Sequence, residues 1–284
     1  MVIEDTEVRP DGPSRAAFDR ELAAAVDAAR AAGEAIRAVY GGSHEIAYKV
    51  GDDPLTVADR AADRIIHERL SRAFPGDGWL SEEDGAAANE TDSGRTWVVD
   101  PLDGTREFIQ HIPEFSVSIA LLAAGHPVVA VVYNPIRDIM VTGVRGGGVQ
   151  AQGRPATTSH ATDLGAAVVL ASRSEVKRGQ WARFEDRFQV VPTGSVAYKM
   201  ALVAIGEADA TFSVAPKHGW DICAGALLVE EAGGQVSLLD GAPLGLSRPA
   251  ELIDGLIASN ADLHHAILAA IEATRPAASA GDPR

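Results

Sequence analysis

Residues 96–108 read TWVVDPLDGTREF, and the order of residue types in this stretch decides both the fold class and the chemistry. Thr96–Val99 has the short, apolar, β-branched character of a buried strand, and Asp100 emerges directly from its end. Asp103 follows after a turn that Pro101 stiffens by fixing φ. Two carboxylates about 4 Å apart repel by roughly 4 kcal/mol at an effective dielectric near 20, so the pair requires a positive partner. Gly104-Thr105 comes next, and a helix that starts there points free backbone N–H groups outward.

Outward from this stretch, apolar residues alternate with two periods. Phe18, Leu22, Val26, Ala29, Gly33, Ile36 and Val39 recur at helical spacing, which predicts an amphipathic helix over 16–40. A second helix is expected over 57–73, with Ala58, Ala61, Ile65, Ile66 and Leu70 inward. Strands are expected near 96–100, 115–123, 127–133 and 138–144, the last two joined over Asn134-Pro135-Ile136-Arg137, and Gly146–Gly148 forms a turn. Beyond Gly153-Arg154, strands near 166–172, 188–192, 208–214 and 255–259 alternate with helices near 175–186, 195–206, 221–232 and 261–274. The expected class is α/β: an α+β N-terminal part over 16–155 that binds metal and phosphate, and a doubly wound α/β part over 156–274 that completes the site. Residues 1–15 and 275–284 read as flexible tails.

Composition narrows the function. The net charge is −15, from 25 basic and 40 acidic residues, with no Lys/Arg cluster, so duplex nucleic acid is not an expected partner. No apolar run reaches the roughly 18 residues of a membrane span, and the acidic N-terminus lacks a signal-peptide core. The single cysteine, Cys223, excludes an internal disulfide and suits a reducing cytoplasm; it reads as a small core residue. His264-His265 reads as surface. Gly146–Gly148 lacks the Lys-Ser/Thr of a phosphate-binding loop, and no Gly-x-Ser-x-Gly elbow is present for acyl transfer.

Three further acidic stretches resemble the opening one: DDPLTVAD (52–59), SEED (81–84) and GWD (219–221). Each places an acid where a strand or loop meets a helix, the rim at which α/β proteins collect ligands. Alone, Asp59 and Asp221 read as helix-capping residues and SEED as a solvated loop. Together, Glu82, Asp100, Asp103 and Asp221 form an all-oxygen donor set suited to Mg2+ or Mn2+ rather than Zn2+. Such a set can hold two ions about 3.5–4 Å apart for phosphoryl displacement. The N–H groups of Gly104 and Thr105 can then hold a phosphate, while the Thr105 hydroxyl orients the attacking water and Asp59 takes its proton.

These segments, with Lys49, GSVAYKMALVAIGEAD (194–209) and WDICAGALLVEEAGG (220–234), resemble the inositol monophosphatase-like superfamily in order and spacing over about residues 18–272. The resemblance implies a layered αβαβα sugar-phosphatase fold, a homodimer, and Mg2+-dependent, Li+-sensitive phosphomonoesterase activity with two or three ions, Mn2+ substituting. By motif position, Glu82, Asp100 and the Leu102 carbonyl resemble ligands of one ion, and Asp100, Asp103 and Asp221 those of a second. Asp59 and Thr105 match the water-activating pair, with Glu83 in a supporting place. Within the superfamily, DPLDGTREF and SEED look most like the 3'(2'),5'-bisphosphate nucleotidases of sulfate assimilation. Lys199 matches their nucleotide-binding lysine, with Ser195 and Arg173 as further substrate contacts. Val214, where inositol enzymes carry a glutamate, agrees with that reading. Glu175, where nucleotidases carry a histidine, opposes it, because an acid repels a second phosphate. Inositol-1-phosphate, fructose-1,6-bisphosphate and histidinol-phosphate phosphatases remain alternatives, as does an inactive metal-binding relative.

Overall fold

A computed structural model describes residues 15–42, 46–48, 54–84 and 93–274. Lys49, Asp52, Asp53 and both expected tails, apart from Arg15, lie outside the described residues. The α-helices described are α1 (Asp19–Val39), α2 (Val57–Ala73), α3 (Thr105–Ile109), α4 (Arg173–Lys177), α5 (Val196–Ala204), α6 (Gly219–Glu231) and α7 (His264–Ala273).

The opening stretch forms the strand Arg95–Asp103, second in a seven-stranded sheet whose strands follow in sequence order from Gly78–Ser81 to Arg154–Ala156. The first pair is parallel and the rest antiparallel. Strand alternation divides its residues between two cores. Trp97, Val99, Val117, Ile119, Leu121, Val129 and Val131 pack on one face against Leu22, Ala29 and Ile36 of α1 and Ala62, Ile66 and Leu70 of α2. Val98, Ala120, Leu122, Ala130 and Val132 point the other way, into a core built with α5 and α6. Each fully buried Val, Ile or Leu contributes about 1.5–3 kcal/mol, so a one-residue register slip would expose both sets at once.

The second sheet has the order Gln189–Thr193, Val168–Ser172, Ala210–Ser213, Leu256–Asn260, Gly234–Ser237. One face joins α5 and α6 through Leu170, Leu256 and Ala258. The other packs Val169, Ala171, Phe212 and Ile257 against Trp181, Phe184 and α7. The layers are therefore helix, sheet, helix, sheet, helix, the expected αβαβα arrangement.

Several local expectations change. The helix expected over 175–186 is only α4, followed by a 3-10 turn at Ala182–Phe184. Gly179 ends it at φ 73°, a left-handed conformation that glycine adopts without Cβ strain. The second sheet is not fully doubly wound: the strand Leu256–Asn260 runs antiparallel to both neighbours. Helix α2 buries Ala62 and leaves Ala61 and Ile65 half-buried, a rotation of its inner face by about one residue. His264 is not on the surface. It is 3% exposed, with its ring nitrogens 2.9 Å from Ser237 Oγ and 2.8 Å from Ser259 Oγ. Cys223 is buried in α6, as expected, and burial pushes its thiol well above the usual range.

Candidate active site

Asp100 and Asp103 are three residues apart, and on a regular strand they would face opposite sides of the sheet. They do not, because the strand bulges between them. Asp100 lies opposite Ser118 and Asp103 opposite Ser116, so Pro101 and Leu102 oppose the single residue Val117. The extra residue brings both carboxylates to the side of the sheet that α5 and α6 cover.

Both acids are then held by backbone. Asp100 Oδ1 accepts from the Leu102 N–H at 3.0 Å. Asp103 Oδ2 accepts from Ser195 Oγ at 2.6 Å and from the Ala197 N–H at 2.7 Å, at the start of α5. Ser195 holds φ 59°, caps α5 by accepting from the Tyr198 N–H at 3.0 Å, and lies 3.1 Å from Ser116 Oγ. Serines 116 and 118 are fully buried in an otherwise apolar strand. That interruption of the apolar pattern was a readable signal, and sequence reasoning passed over it.

Asp221 sits in the first turn of α6, where it accepts from the His218 N–H at 3.2 Å. Glu82, Asp100, Leu102, Asp103, Thr105 and Asp221 line one cavity of about 220 Å³. Burial, then Glu82, Asp103 and Asp221, hold Asp100 well above the usual carboxylate range. Burial, Asp103 and Glu82 do the same to Asp221. Asp103 is raised by burial too, although Ser195, Lys199, the Ala197 N–H and Lys217 oppose the shift. Four acids gathered in one cavity at this electrostatic cost match a multivalent oxygen-loving cation in donor chemistry. Among the described residues, no three His, Cys, Asp or Glu side chains stand in a preformed ligating geometry, so the fit is one of donor type and charge.

Asp59 arrives from α2. Thr56 caps that helix, and its backbone N–H and hydroxyl donate to Asp59 Oδ2 at 2.7 and 2.6 Å. The other oxygen, Oδ1, accepts from Thr105 Oγ1 at 2.8 Å. The capping reading and the functional reading of Asp59 are therefore compatible, one oxygen serving each. Gly104 precedes α3 at φ 100°, and a Cβ there would meet Phe115 and the Glu114 carbonyl at 3.0–3.1 Å.

The expected substrate contacts divide. Ser195 and Lys199 line the cavity, although Ser195 is already engaged with Asp103. Arg173 does not line it: Nε and Nη2 bind both oxygens of Glu114 at 2.7 and 2.9 Å. Glu175 is fully buried, accepting from Trp181 Nε1 at 2.9 Å and from Ser213 Oγ, and lies 3.8 Å from Nζ of Lys217, a cavity-lining cation, so its charge is met behind the cavity wall rather than presented to a substrate. Val214 packs into the outer aromatic core. Sequence reasoning missed Glu107, which also lines the cavity.

The profile of the inositol monophosphatase family matches residues 19–275. This chain belongs to the inositol monophosphatase family. It is 36% identical to the inositol-1-monophosphatase of Mesorhizobium japonicum over 259 residues, covering 87% of this chain and 94% of that one. The Nus factor SuhB of Escherichia coli is 38% identical over 224 residues, 75% and 83% of the two chains. Among solved structures, the extragenic suppressor protein SuhB of Bartonella henselae superposes with a TM-score of 0.80 at 31% identity, covering 90% of this chain and 99% of that one. Inositol monophosphatase family members are metal-dependent phosphatases, Mg2+ being the general requirement, and this chain is an enzyme of that type. The relatives are named inositol monophosphatase or SuhB, not nucleotidase. They support the inositol-1-phosphate alternative over the bisphosphate nucleotidase reading and its place in sulfate assimilation.

Proposed function

We propose that this family member hydrolyses inositol 1-phosphate or a closely similar polyol monophosphate, with Asp59 and Thr105 as the water-activating pair. The observation that carries the reading is the Thr105–Asp59 hydrogen bond standing beside the acid-lined cavity. Glu82, Asp100, Asp103, Asp221 and the Leu102 carbonyl would hold Mg2+. When bound, the cation supplies Lewis-acid stabilisation of charge on the phosphoryl oxygens. Thr105 donates to Asp59, so its oxygen lone pairs can accept from a water and fix its direction of attack. Asp59, buried and raised by that burial, then takes up the proton through Thr105. The backbone N–H groups of Gly104 and Thr105 face the phosphate of the ester.

Two features support a single-phosphate substrate over adenosine 3',5'-bisphosphate. The relatives' names are one. The other is Arg173, the cation expected to meet a second phosphate, which is engaged by Glu114 in a two-point ion pair. Phosphate release with Mg2+ from inositol 1-phosphate, adenosine 3',5'-bisphosphate and fructose 1,6-bisphosphate at equal low concentration tests the choice. A kcat/KM at least tenfold higher for inositol 1-phosphate, about 1.4 kcal/mol, supports the proposal, and a nucleotide preference of that size overturns it.

A further inference from the structure

Glu107 lies two residues beyond Thr105, on α3, and the mechanism does not use it. It is packed tightly in place: a Cβ on Gly194 would come within 2.4 Å of Glu107 Cγ, so this loop and this side chain can only meet at a glycine. Burial raises its pKa, with its own backbone N–H, Lys199 and Arg173 opposing and Asp103 adding to the shift. Among the described residues no side chain hydrogen-bonds its carboxylate, yet it lines the same cavity as Asp103 and Thr105. Its own backbone N–H reaches the half-buried carboxylate, but an ionised carboxylate accepts at about four lone-pair sites, so it remains open to donors on the cavity side.

Lys199 provides the complement. It is 3% exposed, lines the same cavity, and uses one N–H on the Ser195 carbonyl at 2.8 Å. An ammonium has three donors, so two remain. Glu107 and Lys199 interact electrostatically across the cavity wall without forming an ion pair. The cavity lining thus offers both an acceptor and a donor. A hydroxyl, which both donates and accepts, matches such a pair. A second phosphate does not, because it would bring negative charge against Glu107.

We propose that Glu107 is a specificity-determining residue that, with Lys199, binds hydroxyls of the polyol ring whose phosphate is removed. The inference rests on the proposed polyol-phosphate activity and names what reads the polyol. It also accounts for a site whose position 214 carries a valine facing the core: the hydroxyl-accepting acid is supplied from α3 instead.

The test compares inositol 1-phosphate with cyclohexyl phosphate, the same ring without hydroxyls, in wild type and Glu107→Gln. The substitution keeps size and replaces one acceptor oxygen by a donor. The expected result is a fall of tenfold or more in the kcat/KM ratio of inositol 1-phosphate to cyclohexyl phosphate, carried by KM. An unchanged ratio, with both esters still hydrolysed, overturns the role of Glu107 and leaves the proposed function standing. No release from either ester by the wild type overturns the proposed function and this inference with it. Circular dichroism checks folding. If Glu107→Gln does not fold, Glu107→Asp, which withdraws the carboxylate by one methylene, must lower the ratio likewise, and an unchanged ratio there overturns the proposal.

Discussion

Thr105 Oγ1 donates to Asp59 Oδ1 at 2.8 Å although the residues are 46 positions apart, one at the start of α3 and the other in the first turn of α2. The contact couples the Gly104-Thr105 turn to a helix whose cap, Thr56, fixes the same carboxylate from behind. Thr105→Ala is expected to lower kcat for inositol 1-phosphate about 10²–10⁴-fold, the range for loss of a general-base pathway, with KM little changed. Asp59→Asn is expected to match it in kcat, because the amide keeps one acceptor oxygen and cannot serve Thr56 and Thr105 together. Steady-state kinetics on both variants check this.

Ser195 donates to Asp103 and is expected to act through that acid rather than on the substrate. Ser195→Ala removes the 2.6 Å hydrogen bond and the cap of α5 together. The expected effect is about a tenfold rise in the Mg2+ concentration for half-maximal activity, from losing a hydrogen bond to a charged group worth about 1.5 kcal/mol. A rise in the ester's KM at saturating Mg2+, with no change in the Mg2+ requirement, would contradict it.

Glu175 makes a stability prediction. Its carboxylate, fully buried, gathers Trp181 Nε1, Ser213 Oγ and the Ala215 N–H. Glu175→Ala leaves those donors without their acceptor and opens a void beneath Trp181, so a loss of about 3 kcal/mol is expected. Urea unfolding measures it.

His264 sets a pH dependence. Burial, with His265 as the lesser cause, lowers its pKa to about 4, against about 6.5 for an unperturbed histidine. The unfolded chain therefore binds more protons between these values, and stability falls as pH drops from about 6.5 to 4. The full effect is up to about 3 kcal/mol. His264→Gln should show a shallower loss over that window in parallel urea titrations, whereas equal slopes would show that His264 does not titrate with folding.

The legibility of the chain follows the range of each interaction. Alternation in Arg95–Asp103 and the helical spacing of α1 are local, and both elements were readable to within a few residues. The acids could be named because each stands at the end of a strand or in the first turn of a helix. The bulge that turns Asp100 and Asp103 to one side was not readable, since it depends on pairing with Ser116 and Ser118. Arg173 looked available because its partner, Glu114, lies 59 residues away. His264 looked exposed because nothing in a helical pattern announces Ser237 and Ser259 around its ring. Glu175 reads in the sequence as an acid that repels a second phosphate, whereas its carboxylate is buried against Trp181 and Ser213, and Glu107 was overlooked because a lone acid in a short helix carries no local signal.

The central claim is that the acids around Asp103 hold Mg2+ for phosphate-ester hydrolysis, and a Mg2+ titration of phosphate release from inositol 1-phosphate by wild type and Asp103→Asn tests it most directly. The wild type should show release that saturates with Mg2+ and is abolished by EDTA. The variant should remain folded and release no phosphate at any Mg2+ concentration. Wild-type rates from Asp103→Asn, or release by the wild type that survives EDTA, would contradict the account.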